Sequence, residues 1–186
     1  MSATEILNKS GTEKFGDGVG EQGKKVRVFV VDDHRLMHMG IKSMLLDEPD
    51  MEMCGGAESV EEALELIPQV RPDVAVLDIS LSGDIDGVML AGMLSKQYPD
   101  ILLLMLSMHE ESAYAQRAFD AGALGYLNKA DAAELLVVAI RTILGGGLFF
   151  SPTSFSQEVL LKIGTLGKRV LRPSAADVIK NRRTDF

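Results

Sequence analysis

The chain has 186 residues, 46% hydrophobic and 25% charged, a composition that excludes a wholly disordered chain and a fibrous repeat. No apolar run approaches the roughly 18 residues of a membrane span, and residues 1–22 are polar, without the apolar centre of a secretory signal. The net charge of −8 is unevenly placed: residues 1–150 carry 12 Lys+Arg against 24 Asp+Glu, while residues 151–186 carry 7 against 3. A broad basic face for nucleic acid is therefore excluded for the main body, and only the tail is left to touch DNA.

In chain order, residues 1–24 show no hydrophobic periodicity and read as a flexible N-terminal extension. Five short, nearly continuous apolar runs follow, at 26–31, 51–54, 74–77, 101–106 and 123–127. Such runs suit strands covered on both faces. The segments between them have helical spacing. Leu36, Met37, Gly40, Ile41, Met44 and Leu45 make one stripe, and Val60, Ala63, Leu64 and Ile67 a second. Leu135, Leu136, Ala139, Ile140 and Ile143 make the last, and the segments after Asp86 and His109 are less regular.

Ser59 with Glu62 has capping-box spacing, Asp131 with Glu134 imitates it, and glycines 145–147 mark a helix exit. Strand and helix alternating five times predict an α/β fold, a parallel sheet with helices on both faces. The domain runs over 25–150. Residues 151–186 read as a basic C-terminal helix and tail, with Ser154 and Gln157 at capping spacing.

Ligands of an open parallel sheet bind beyond the carboxyl ends of its strands. Strand one ends in Asp32 and Asp33, strand three in Asp78, strand four in Ser107 and strand five in Asn128 and Lys129. Three carboxylates on one rim repel one another unless a hard divalent cation joins them, and oxygen ligands suit Mg²⁺. Metal and ammonium together favour a small anion, to which Ser107 can donate a hydrogen bond. A carboxylate beside a metal can attack phosphorus and form an acyl phosphate.

The segments Val30-Val31-Asp32-Asp33-His34, Leu77-Asp78-Ile79-Ser80-Leu81, Leu106-Ser107-Met108-His109 and Gly125-Tyr126-Leu127-Asn128-Lys129 resemble the receiver domain of two-component response regulators, most of all the NarL/FixJ (LuxR-type) subfamily. The resemblance covers about residues 25–152. It implies a flavodoxin-like, doubly wound, five-stranded parallel sheet of order 2-1-3-4-5. It implies that Asp78 accepts a phosphoryl group from a sensor histidine kinase or a phosphotransfer protein. Asp32, Asp33 and Asp78, with the backbone carbonyl of Ser80, match the Mg²⁺ ligands. Lys129 matches the lysine that contacts the phosphoryl group. Ser107 matches the switch hydroxyl, and Tyr126 the switch aromatic that turns inward after phosphorylation.

Two departures stand out. The loop after the acceptor reads Leu81-Ser82-Gly83-Asp84-Ile85-Asp86-Gly87, with serine where the family usually has proline and one residue more than usual. No Leu-Thr-x-Arg-Glu start and no recognition helix follow Phe150, so a complete LuxR-type helix-turn-helix domain is not expected.

The expected function is a cytoplasmic signalling switch, not a turnover enzyme, that changes its interaction surface on phosphorylation. Self-association through the 107–120/126–144 face is expected with it. A truncated or atypical DNA-binding transcription regulator is the competing class. An Asp-nucleophile, metal-dependent phosphatase is disfavoured, because Ser80 stands where that group carries a second acid. His34, His38 and His109 lack ligand spacing and are expected to face solvent. Cys54, the single cysteine, reads as a small buried hydrophobe in a reduced compartment.

Overall fold

The computed structural model describes residues 24–151. The expected N-terminal extension up to residue 23, the short helix from Ser154 and the basic tail lie outside the described residues.

Five strands alternate with five helices. They are β1 (Val26–Val31), α1 (Arg35–Leu46), β2 (Met51–Ala57), α2 (Val60–Val70), β3 (Val74–Asp78), α3 (Gly87–Gln97), β4 (Leu102–Ser107), α4 (Glu111–Asp120), β5 (Gly125–Asn128) and α5 (Ala132–Leu144). All pairings are parallel and the strand order is β2-β1-β3-β4-β5. The carboxyl ends of the three central strands, β1, β3 and β4, therefore stand side by side.

Alternation along each strand sorts the core into two layers. Phe29, Val31, Ala75, Leu77, Leu103 and Met105 face α2, α3 and α4. Val28, Val30, Val74, Val76, Leu104 and Leu106 face α1 and α5. Both faces are covered, which is why the strands read as continuous apolar runs instead of alternating ones. Truncating a fully buried member such as Leu77 or Ile140 to Ala costs about 2–5 kcal/mol, since a cavity remains.

The helix starts are set by short polar side chains. Ser59 Oγ accepts from the Glu62 N–H, and the Glu62 carboxylate accepts from the Glu58 N–H, one residue earlier than a strict capping box. Asp86 Oδ1 accepts from the Met89 N–H and starts α3, the segment whose periodicity was weak. The Asp131–Glu134 box does not form. Asp131 makes no side-chain cap, and Asn128 instead caps a single 3₁₀ turn over Lys129–Asp131, accepting from the Ala130 N–H. That turn carries Lys129 directly off the end of β5. The glycine exit is as expected, with Gly146 at φ 79° after α5.

Two features escape the apolar-run reading. β2 extends to Ala57 through Gly55 and Gly56, with a bulge that leaves Cys54 without a partner across β1. The glycines are there for close packing. A Cβ on Gly55 would stand 2.8 Å from the Phe29 ring, and one on Gly56 2.5 Å from the His38 imidazole. Beyond α5 the chain returns, and Phe149 bridges to Gly125 at the free edge of β5, with the Tyr126 N–H donating to its carbonyl. Among the described residues, no helix is long and apolar enough to cross a membrane.

Candidate functional site

The rim residues singled out from strand ends meet in one pocket. Asp32, Asp78 and Ser107 are the buried polar side chains of the described core, at 0%, 1% and 0% exposure. Burying charge is costly unless a partner offsets it. The partner is Lys129, whose Nζ donates to Asp78 Oδ2 at 2.7 Å and stands 2.7 Å from Asp32 Oδ2. Burial alone would lower the pKa of this ammonium. The two carboxylates outweigh burial and hold it above its ordinary value.

The loop after Asp78 folds over the carboxylate. The Ser80 N–H donates to Asp78 Oδ1 at 3.1 Å. The Gly87 N–H donates to the Ile79 carbonyl, bringing the start of α3 against the end of β3. A Cβ at Gly87 would lie 1.8 Å from the Asp78 carbonyl oxygen, so this position admits only glycine without a backbone shift. Ser82, the serine in place of proline, donates from Oγ to Asp33 Oδ2 at 2.9 Å.

His34 and His109 are exposed, as expected, and His38 is half-buried, and each also has a partner at this rim. His34 Nδ1 is 2.7 Å from Asp33 Oδ1 and 3.2 Å from Asp32 Oδ1. His38 Nε2 donates to the Asp32 carbonyl at 2.7 Å. His109 Nε2 is 3.2 Å from Ser80 Oγ, and its ring stacks on Tyr114 with centroids 5.1 Å apart. Only helical phase and loop closure together place these rings, and the sequence shows neither the bulge at Cys54 nor the closure of the 79–86 loop.

Tyr126 and Ser107 hold the segment after β4. The His109 N–H donates to Ser107 Oγ at 3.0 Å, and the Tyr126 hydroxyl donates to the His109 carbonyl at 3.0 Å. Tyr126 is fully buried. Its ring lies inside, tied to the segment after β4. Burial raises the pKa of its phenol, and the neighbouring Ser107 hydroxyl only partly offsets this. Cys54 is half-buried, not fully buried, and desolvation raises its thiol pKa, so it has no thiolate character.

The residues fit a hard divalent ion. Asp33 Oδ1 is buried without a hydrogen-bond donor, and Asp32 Oδ2 has only the Lys129 ammonium beside it, at 2.7 Å. One donor atom from each of Asp32, Asp33, His34 and Asp78 lies within 4.8 Å of the others. Carboxylate oxygens lacking donors are what Mg²⁺ uses.

A doubly wound parallel sheet with a buried, lysine-paired carboxylate at the end of its third strand defines a signalling receiver class. Residues 28–141 match the response regulator receiver domain family, and the chain belongs to it. It is 34% identical over 128 residues to the transcriptional regulatory protein DegU of Brevibacillus brevis, covering 69% of this chain and 54% of the relative. It is 36% identical over 137 residues to the response regulator GacA of Pseudomonas viridiflava, covering 74% and 63%. The chain thus spans between about half and two thirds of the length of these relatives. The signal receiver domain of NarL from Mycobacterium tuberculosis superimposes with a TM-score of 0.61 at 34% identity, covering 66% of this chain and 98% of that one. The relatives place the chain in the FixJ/NarL/LuxR subfamily of two-component response regulators.

Proposed function

We propose that this receiver takes a phosphoryl group on Asp78 from a histidine of a sensor kinase or phosphotransfer protein. The observation that carries the reading is the Asp78 carboxylate, buried at the end of β3 with Lys129 Nζ 2.7 Å away. In the transfer, an Asp78 carboxylate oxygen forms a bond to phosphorus. The phosphorus–nitrogen bond of the phosphohistidine breaks, and its electron pair stays on the imidazole, which then takes a proton from water. Lys129 holds positive charge beside the oxygens that carry the transferring charge. Ser107, freed from the His109 N–H, would donate its hydroxyl to the phosphoryl group.

Asp32, Asp33, Asp78 and the Ser80 backbone carbonyl would hold Mg²⁺. When bound, that ion supplies charge neutralisation for the phosphoryl oxygens. Leu36 and Met39 on the first turns of α1, and Met108 after β4, are exposed apolar side chains in segments that follow the carboxyl ends of inner strands. They offer a partner's helical surface something to cover.

The domain reading follows: an extension at 1–24, the receiver at 25–150, and a basic segment at 151–186 as the region able to meet DNA. The relative DegU is named a transcriptional regulator, and transcription control through contact with other proteins or with a second copy is the output class. The chain acts in the cytoplasm as a switch with at most slow self-dephosphorylation. Incubation with acetyl phosphate and Mg²⁺ tests this. The wild type should gain one phosphoryl group by intact mass, and Asp78→Asn and Lys129→Ala should gain little or none. Equal labelling of Asp78→Asn would overturn the assignment.

A further inference from the structure

The end of the sheet opposite the acceptor rim carries a cleft between the exits of α2 and α3. We propose that residues 13–15 of this chain dock there, with Phe15 entering the cleft and Glu13 and Lys14 pairing with Arg71 and Asp100 at its two sides.

The cleft is built by a repeat. After α2 the chain reads Arg71-Pro72-Asp73, and after α3 it reads Tyr98-Pro99-Asp100. Each helix stops before a proline that cannot continue it, and the chain turns straight into the next strand. β3 and β4 are neighbours, and the Leu102 N–H donates to the Asp73 carbonyl at 3.0 Å, so the two turns lie side by side. The space between them is about 480 Å³, within the usual range of binding clefts. Its apolar lining is Ile67, Pro68, Pro72, Tyr98, Pro99 and Ile101, a surface suited to an aromatic ring.

The two sides differ in charge. Arg71 stands on the α2 side and Asp100 on the α3 side, both exposed. Neither has an ion-pair partner among the described residues. The α2 exit is already answered, since the Arg27 guanidinium donates to the Val70 and Arg71 carbonyls. The α3 exit adds its partial negative charge to that of Asp100. A segment carrying an acid, a base and an aromatic in a row matches this pattern.

The place where the chain enters selects the occupant. β1 begins beside the cleft. The Arg27 N–H donates to Asp73 Oδ2 at 2.8 Å, and the Asp73 N–H donates to the Arg27 carbonyl at 2.9 Å. Lys24 Nζ lies 3.6 Å from Asp73 Oδ1. Asp73 itself lines the cleft, so residues 1–23 lead off from its edge. Phe15 is the single aromatic residue of that stretch and follows Glu13 and Lys14 directly. It stands nine residues before Lys24, a tether of up to about 30 Å when extended. Residues 152–186 leave from the other end of the sheet, where the Ser151 N–H donates to Glu111 at the start of α4.

Photo-cross-linking of the full chain with p-benzoylphenylalanine in place of Phe15 tests this. Cross-links should map to residues 67–73 or 97–101, and should stay within one chain when heavy-nitrogen and unlabelled protein are mixed. Asp100→Lys should lower their yield roughly threefold, the scale of one exposed charge pair, and the difference should fade at high salt. Asp100 is exposed, so this variant should keep the wild-type urea midpoint. In a second measurement, Phe15→Ser should speed exchange of the Ile101 and Leu102 amides about fivefold, as loss of one docked side chain shifts a local opening equilibrium. Cross-links between chains, cross-links confined to other surfaces such as the 42–53 edge, or none to the cleft would overturn the inference. Equal amide exchange in wild type and Phe15→Ser would overturn it as well.

Discussion

Ser82 Oγ donates to Asp33 Oδ2 at 2.9 Å, joining the loop after the buried carboxylate to the acidic pair at the end of β1. The residue that departs from the family pattern thus orients one carboxylate of the acidic pair proposed to hold Mg²⁺. Proline at this place has no hydroxyl and cannot make the bond. Ser82→Ala should weaken Mg²⁺ binding by roughly tenfold, as loss of a group that orients a ligand typically does. The bond is exposed, so the urea midpoint should barely move. Calorimetric Mg²⁺ titration of both proteins checks this.

Gly87 is the steric limit of the same loop. Its Cβ would stand 1.8 Å from the Asp78 carbonyl oxygen and 3.0 Å from Ile79 Cα. Both neighbours are backbone and cannot swing away. Gly87→Ala should therefore cost about 1–3 kcal/mol, the usual penalty for overpacking, and should displace Asp78. Urea unfolding should show the loss, and acetyl phosphate labelling should fall with it even under conditions where the variant stays folded.

Tyr126 is fully buried, its hydroxyl donating to the His109 carbonyl. Tyr126→Phe leaves a carbonyl short of a donor and should cost about 1 kcal/mol. With the ring buried, beryllofluoride should slow amide exchange in the segment after Ser107 while changing Tyr126 aromatic resonances little. A large shift of the Tyr126 ring signals would show that the ring occupies another position in solution.

Arg141 on α5 grips the turn before β2. Its guanidinium donates to both Asp50 oxygens at 2.8 and 3.0 Å and to Glu48 at 2.6 Å. This bond holds the Asp50 carboxyl below its ordinary 3.8. A folded-state pKa that is depressed contributes stability above the unfolded value and loses it as pH falls through the folded one. Arg141→Met should therefore lower the thermal midpoint modestly at neutral pH, less so at high salt, since the pair is exposed. The gap between the two proteins should close as the pH falls below 3.8. Thermal scans from neutral to acid pH check it.

What the sequence made legible were features with a local cause. Apolar runs between helical stripes gave five strands, and their last residues gave Asp32, Asp33, Asp78, Ser107 and Lys129, because strand ends define the rim of a parallel sheet. Ser59 caps its helix within three residues, so a short motif suffices. What stayed hidden depends on tertiary placement. The polar-looking Gly55-Gly56 stretch is strand because Phe29 and His38 lie against it. Phe149 is a bridge residue because α5 returns the chain to the edge of β5. Asp131 fails as a cap because Asn128 takes the turn first. The three histidines look like lone surface residues until α1 and the two loops are folded beside one another.

The most direct test of the account is borohydride trapping after acetyl phosphate and Mg²⁺ treatment. Borohydride reduces an acyl phosphate of aspartate to homoserine, so peptide mass spectrometry reads the acceptor position. The account predicts homoserine at position 78 in the wild type and none at 32 or 33. Homoserine at another aspartate, or none anywhere while the protein still gains phosphate, would contradict Asp78 as the acceptor.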